Sequence, residues 1–252
     1  LEEDLGTRLV ERGRKGLRLT PRGTQLLAEV EPSLEALDQA RQRLLDPTGI
    51  AGLLRVSVPP DLPVLWRLFS EFSQAHPAVR LDIFATDRRI DLVADGVDVA
   101  FRVGAPGSMS YSGRVLARYR HKVVASPALL QRHPISTVDD LRGAPVACWR
   151  GSGAPSWSLG GTEVPLSPVL VANEYGHLLE LARTAQVVTE LPPFLAAPLL
   201  SEGALVELFV DAPLPEQPLR VLVVEKRAMS PLVRGFLDHA ADRSGALFPA
   251  EA

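Results

Sequence analysis

LLRVSVPPDLPVLWRLFSEFSQAHPAVRLDIF, residues 53–84, holds two short apolar runs on either side of an amphipathic segment. Leu53–Val58 and Val79–Phe84 are rich in β-branched and large apolar residues and stop at proline or polar positions, as strands buried in a sheet do. Between them, Pro63–Ala75 places Leu65, Leu68, Phe69 and Phe72 on one helical face. Strand, helix, strand is a βα unit, and the same alternation recurs to the C-terminus. Arg88–Ala94 reads as a short helix, Val97–Val103 as a strand and Val115–Ala125 as an extended segment. Ser126-Pro127 caps a helix, and Ser136-Thr137-Val138-Asp139 reads as a capping box. Pro145–Trp149, Val169–Ala172, Gln186–Glu190 and Leu219–Glu225 read as strands. Helices follow over Asn173–Thr184, with Asn173 as cap, Pro192–Leu200 and Ser230–Arg243. The fold expected is α/β, two βα layers on a largely parallel sheet, with no internal repeat.

Upstream the pattern differs. Leu9-Val10-Glu11-Arg12 and Leu17-Arg18-Leu19-Thr20 flank the glycine-bounded tip Gly13-Arg14-Lys15-Gly16, which is a β-hairpin signature. Leu1 to Gly6 reads as the last turn of a helix closed by glycine. Thr20-Pro21 supplies a cap and a first-turn proline. Leu27, Val30, Leu34, Leu37, Arg41 and Leu44 then recur at spacings of three and four, the seam of a helix that packs on a partner helix. Pro32 lies inside it and predicts a kink. Asp46-Pro47-Thr48-Gly49 reads as a linker.

The chain has 252 residues, 46% hydrophobic and 23% charged, which excludes fibres, disordered tails and disulfide miniproteins. The formal net charge of −3 hides an asymmetry: Arg8, Arg12, Arg14, Lys15, Arg18 and Arg22 face only Glu11 over that stretch. Cys148 is the single cysteine, so an internal disulfide and multi-cysteine metal sites are excluded and a reducing cytoplasm is expected. Prolines 192, 193 and 198 interrupt the most apolar stretch, so no membrane span is expected. Enzyme motifs are missing. Gly151-Ser152-Gly153 has the wrong spacing for a nucleophile elbow, and no phosphate loop, dinucleotide fingerprint or zinc-protease motif occurs, so neither a catalytic residue nor a cofactor is expected. Cys148 beside Trp149 reads as a core thiol. Glu174, His177 and Glu180 share a helix face but lack a fourth metal ligand, and His76 and His133 read as helix-end residues.

In order and spacing, several segments of the chain are similar to the LysR-type transcriptional regulators. They are Leu1 to Arg12 with Leu17 to Gly23, Asp98 to Gly104, Val124 to Pro127, the Trp157 to Glu163 hairpin region, Asn173, and Glu190 to Phe194. The resemblance implies a winged helix-turn-helix, most of it carried by residues upstream of Leu1. It also implies a dimerising linker helix and an effector domain of two Rossmann-like lobes similar to type II periplasmic binding proteins. It places the helix end and wing at 1–20, the linker helix at 21–46 and a hinge at 47–51. One lobe falls at 52–121 plus 222–252, the other at 122–221. The partners implied are DNA, an unidentified small-molecule effector, and further copies of the chain in a homodimer or homotetramer. A solute-binding module with no DNA role is the alternative.

Arg12, Arg14, Lys15 and Arg18 can line a phosphate backbone or enter a narrow minor groove, adding affinity with little base discrimination. For a ligand, open α/β sheets bind at the carboxyl ends of strands. That rule nominates Pro59, Pro60, Asp61, Thr86, Asp87 and Arg102 from one lobe. From the other it nominates Trp149, Arg150, Ser152, Asn173, Glu174, Thr189 and Glu190. Arg102 and Arg150 suit an anionic ligand, whereas Asp61, Asp87, Glu174 and Glu190 favour an amine or a hydroxylated, sugar-like molecule; Arg102 could instead pair with one of these acids. Relatives place a hydroxyl residue where Pro59-Pro60-Asp61 stands here, which argues against a simple carboxylate effector. Ala185 and Val187 replace glycines usual in the family, so a smaller or closed pocket is expected.

Overall fold

The computed structural model describes residues 1–13, 16–45, 50–88, 90–104, 111–151, 153–224 and 229–248. The N-terminal turn α1 (Glu2–Leu5) ends at Gly6, whose φ of 60° is the left-handed conformation that closes a helix. Strands β1 (Val10–Gly13) and β2 (Gly16–Leu19) pair antiparallel, Val10 opposite Leu19 and Gly13 opposite Gly16. Arg14 and Lys15, at the tip, lie outside the described residues. Thr20 accepts a hydrogen bond from the Gly23 amide at 3.0 Å and donates one to the Arg8 carbonyl at 2.7 Å. It thereby caps α2 (Pro21–Leu45) and ties it to the hairpin. The helix is assigned without interruption through Pro32.

The first lobe is built on β3 (Gly52–Val58), β4 (Val79–Ala85), β5 (Val99–Val103), β6 (Tyr111–Arg120) and β14 (Glu216–Val224), in the order β4-β3-β5-β14-β6. β3 runs parallel to β4 and β5, whereas β14 runs antiparallel to both β5 and β6. The sheet is therefore mixed rather than largely parallel, because the chain enters β14 from the second lobe and so travels against β5. Residues 216–221, expected in the second lobe, pair within this first sheet. Helices α3 (Val64–Ala75) and α7 (Pro231–Leu247) cover one face of it and interlock through Phe69, Phe72 and Phe236. The helix expected at 88–94 is instead a single turn over 92–96, held by the Asp91 carboxylate accepting from the Val93 and Ala94 amides. Gly96, at φ 64°, ends it and delays the next strand from Val97 to Val99.

The second lobe begins at β7 (Lys122–Ala125), with α4 (Pro127–Arg132) capped by the Ser126 side chain as expected. The expected capping box sits one residue along: Thr137 is the cap and Asp140 the reciprocal acid. β8 (Ala147–Trp149) pairs parallel with β11 (Leu170–Ala172), and the hairpin β9 (Ser156–Leu159) and β10 (Thr162–Pro165) lies between them in sequence. β12 (Thr189–Leu191) and β13 (Val206–Leu208) flank β7 antiparallel. α5 (Tyr175–Arg183) and α6 (Pro193–Ser201) pack on the Val124, Leu178, Val187 and Leu191 cluster. Among the described residues, no helix is long and apolar enough to cross a membrane.

α5 closes in a Schellman motif: the Gln186 amide donates to the Leu181 carbonyl and the Ala185 amide to the Ala182 carbonyl, with Ala185 at φ 58°. A left-handed conformation costs a Cβ-bearing residue about 1–2 kcal/mol. Ala185→Gly relieves that strain, offset in part by glycine's chain entropy and the lost methyl contact. The substitution should stabilise the protein by roughly 0.5–1 kcal/mol in urea denaturation. A loss of stability would show that the methyl group outweighs the backbone.

Candidate functional site: a cleft between the lobes

The chain passes between the lobes at His121, between β6 and β7, and again ahead of Glu216. These crossings floor a cleft of about 560 Å³ whose walls come from both lobes. Lobe one contributes Pro59, Pro60, Asp61, Thr86, Asp87 and Arg102, all at carboxyl ends of strands. From lobe two come Trp149 and Glu190 of the nominated residues. Four other nominees lie off the wall. Thr189 is fully buried in the lobe, Arg150 is exposed beside it, Asn173 reaches across to Asp87, and Glu174 is the residue before α5. Ser152 lies outside the described residues.

Apart from Trp149, strand-end reasoning missed the aromatic lining. Tyr119 and His121 come from the first crossing, Trp157 from the β9–β10 hairpin and Tyr175 from the first turn of α5. Trp149 and Tyr175 stack at 4.3 Å between centroids, and His121 meets Tyr175 edge-on at 5.2 Å. The i, i+2 spacing of Tyr119 and His121, which puts both on one side of an extended chain, was the available signal.

Two lobe-one carboxylates hold the start of α5. Asp61, itself left-handed at φ 56°, accepts from the Tyr175 amide at 2.5 Å, and Asp87 accepts from Asn173 Nδ2 at 2.7 Å. Asn173 therefore does not cap α5. The helix has no capping side chain of its own, and Asp61 satisfies its first amide from the opposite lobe.

Glu190 is 6% exposed and lies at the edge of the cleft beside Trp149 and Trp157. Its Oε1 accepts from the Trp149 amide at 2.8 Å and its Oε2 from Trp157 Nε1 at 2.9 Å. Burial pushes its carboxyl up to about 7, against the pull of those donors. Burial also moves His121 down to about 4, so its imidazole is neutral at pH 7, and raises the Tyr119 and Tyr175 phenols well above their usual range. Among the described residues, Arg102 pairs with no acid. Its guanidinium donates to Ser57 Oγ at 2.9 Å and to the Phe101 carbonyl at 2.5 Å, and burial lowers its pKa.

The expected narrowing at Ala185 and Val187 does not occur. Val187 is buried in the α5–α6 core and Ala185 packs against the β7–β8 core, so neither borders the cleft. Cys148 is buried and its thiol is pushed up to about 11, first by burial and then by Glu190, which leaves little thiolate at neutral pH. Glu180 is engaged by Arg183. Among the described residues, no group of three or more His, Cys, Asp or Glu is placed to hold a metal ion.

Residues 47–245 match the family model described as the LysR substrate binding domain. The chain is 29% identical to the HTH-type transcriptional regulator PtxR of Pseudomonas aeruginosa, over 97% of this chain and 81% of that protein. It is 27% identical to the HTH-type transcriptional regulator CrgA of Neisseria meningitidis, over 97% of this chain and 85% of that one. The solved structure of CrgA, a LysR-type transcriptional regulator, superposes with a TM-score of 0.72 at 25% identity, covering 97% of this chain and 86% of that chain.

Proposed function

Because the chain belongs to the LysR family of transcriptional regulators, we propose that its two lobes hold a small-molecule effector between them and convey its presence to DNA through α2 and the basic hairpin. The observation that carries this reading is the cleft of about 560 Å³, bridged at one end by Asp61 on the Tyr175 amide and Asp87 on Asn173. A ligand touching both walls changes the balance between closed and open lobes only by its differential contacts with the two, and these contacts supply them.

Leu27, Val30, Leu34 and Leu37 of α2 are all exposed, an apolar seam that supports pairing with a second copy in a homodimer or homotetramer. Arg12, Arg14, Lys15 and Arg18 supply phosphate contacts at the wing. We place the hairpin at 1–20, the linker helix at 21–46 and the hinge at 47–51. The first lobe takes 52–121 together with the segment from Glu216, and the second takes 122–215. The setting proposed is the cytoplasm, and the role regulatory rather than catalytic. A solute-binding module without a DNA role is not favoured, since PtxR and CrgA, aligned over nearly all of the chain, are transcriptional regulators.

A thermal-shift screen of the chain against small metabolites tests this, because a ligand of the native state raises its melting temperature. Hits are expected whose effect disappears in Trp149→Ala. Hits that survive in that variant would place the ligand elsewhere.

A further inference from the structure

The carboxylates around the cleft are each matched with neutral donors. Asp61 takes the Tyr175 amide, Asp87 takes Asn173, Glu163 takes the Ser156 hydroxyl, and Glu190 takes the Trp149 amide and the Trp157 indole. Among the described residues, none of the four has a lysine, arginine or histidine within ion-pair distance. Cations elsewhere on the molecule do pair with acids, as Arg243 does with Glu71 and Lys122 with Glu207. The guanidinium on the wall, Arg102, donates to Ser57 and the Phe101 carbonyl, both neutral, and so keeps its positive charge, one cation against the carboxylates. His121 is neutral, and its Nε2, shut off from solvent, has no hydrogen-bond partner. Among the described residues, Asp61, Asp87 and Glu163 outnumber Arg102 along the cleft, so its potential is negative, with Asp87 and Glu163 open to solvent and Asp61 half-buried. A positive group entering the cleft is attracted by that excess of carboxylates. The rest of the lining is apolar and aromatic, with Trp149 stacked on Tyr175, and aromatic rings attract cations that approach their faces.

We propose that the ligand of the cleft is an organic cation, an ammonium or guanidinium group carried on an apolar or aromatic body. The cationic end faces the carboxylates and the body lies along the Trp149–Tyr175 wall. An inorganic ion fits poorly: no trio of metal-ligating side chains is assembled among the described residues, and the volume far exceeds one ion's needs. This rests on the reading that a ligand binds between the lobes.

The test uses matched triplets that share a body and differ in charge. One is tyramine, tyrosol and 4-hydroxyphenylacetate; the other is hexylamine, hexanol and hexanoate. Each is titrated against the chain by calorimetry and thermal shift at low and high salt. The amine of each triplet should bind most tightly, with affinity falling as salt rises. Asp87→Asn and Glu163→Gln should each weaken it roughly tenfold while sparing the alcohol. If the carboxylates bind best and Trp149→Ala abolishes their binding, the cation assignment is wrong and the inter-lobe site stands. If any binding survives unchanged in Trp149→Ala, the site itself is misplaced. If no amine binds more tightly than its alcohol, the assignment fails.

Discussion

Phe236→Ala should lower the unfolding free energy by about 4 kcal/mol. Phe236 has no exposed surface and packs against three other rings: stacked on Phe69 at 6.0 Å, and edge-on to Phe72 at 5.0 Å and Phe101 at 6.2 Å. Those rings lie on α3 and β5, so the cavity would open where α7 seals the first lobe. Truncating a fully buried phenylalanine removes its transfer free energy and leaves a void that a three-ring cage collapses into poorly, at a cost of about 3–5 kcal/mol. Guanidinium denaturation monitored separately at each lobe checks it, since two lobes need not unfold together. A loss under about 1 kcal/mol would mean that α7 is not integral to the first lobe.

The second large effect is a pair of opposed pH slopes. The Glu190 carboxyl lies near 7 in the folded protein, against an ordinary value of 4.5. The folded state therefore binds the proton more tightly. The contribution of this group to stability is complete below pH 4.5 and is lost as pH rises toward 7, by roughly 3 kcal/mol. His121 behaves oppositely: burial lowers it from 6.5 to about 4. Its contribution is complete above pH 6.5 and is lost as pH falls toward 4, by a similar amount. Between 4.5 and 6.5 the two largely cancel. His121→Phe should unmask a steady decline in stability across that interval, and Glu190→Gln a steady rise that continues to a plateau near neutrality. Urea midpoints measured at half-unit steps decide it. Profiles for both variants parallel to the parent's would show that neither group changes its protonation on folding.

How much of this could be read in the residues follows from where the information resides. The βα rhythm was legible because the short apolar runs of β3 and β4 end at polar or proline positions and bracket an amphipathic helix, as in residues 53–84. The hairpin was legible because Gly13 and Gly16 bracket its tip. Strand direction was not: the apolar run of β14 reads the same whichever way it crosses the sheet, and only its arrival from the second lobe makes it antiparallel. The strand-end rule found Asp61, Asp87, Arg102 and Glu190, because those ends converge on the cleft. It could not find Tyr119 and His121, because Val115–Ala125 reads as one extended segment, whereas β6 ends at Arg120 and β7 starts at Lys122. Nor could it show that Ser57 and a backbone carbonyl would absorb the guanidinium of Arg102. The pairing of Asp61 with the Tyr175 amide joins residues 114 apart in the chain, beyond the reach of any local pattern.

The most direct measurement is a crystal structure of the chain with a cleft-dependent thermal-shift hit bound. The account predicts the ligand against Trp149 and Tyr175, with contacts to Asp61 or Asp87 on the opposite lobe and a changed separation of the two lobes relative to the free chain. A ligand seated on one lobe alone, or lobes that keep the same separation with and without it, would contradict it.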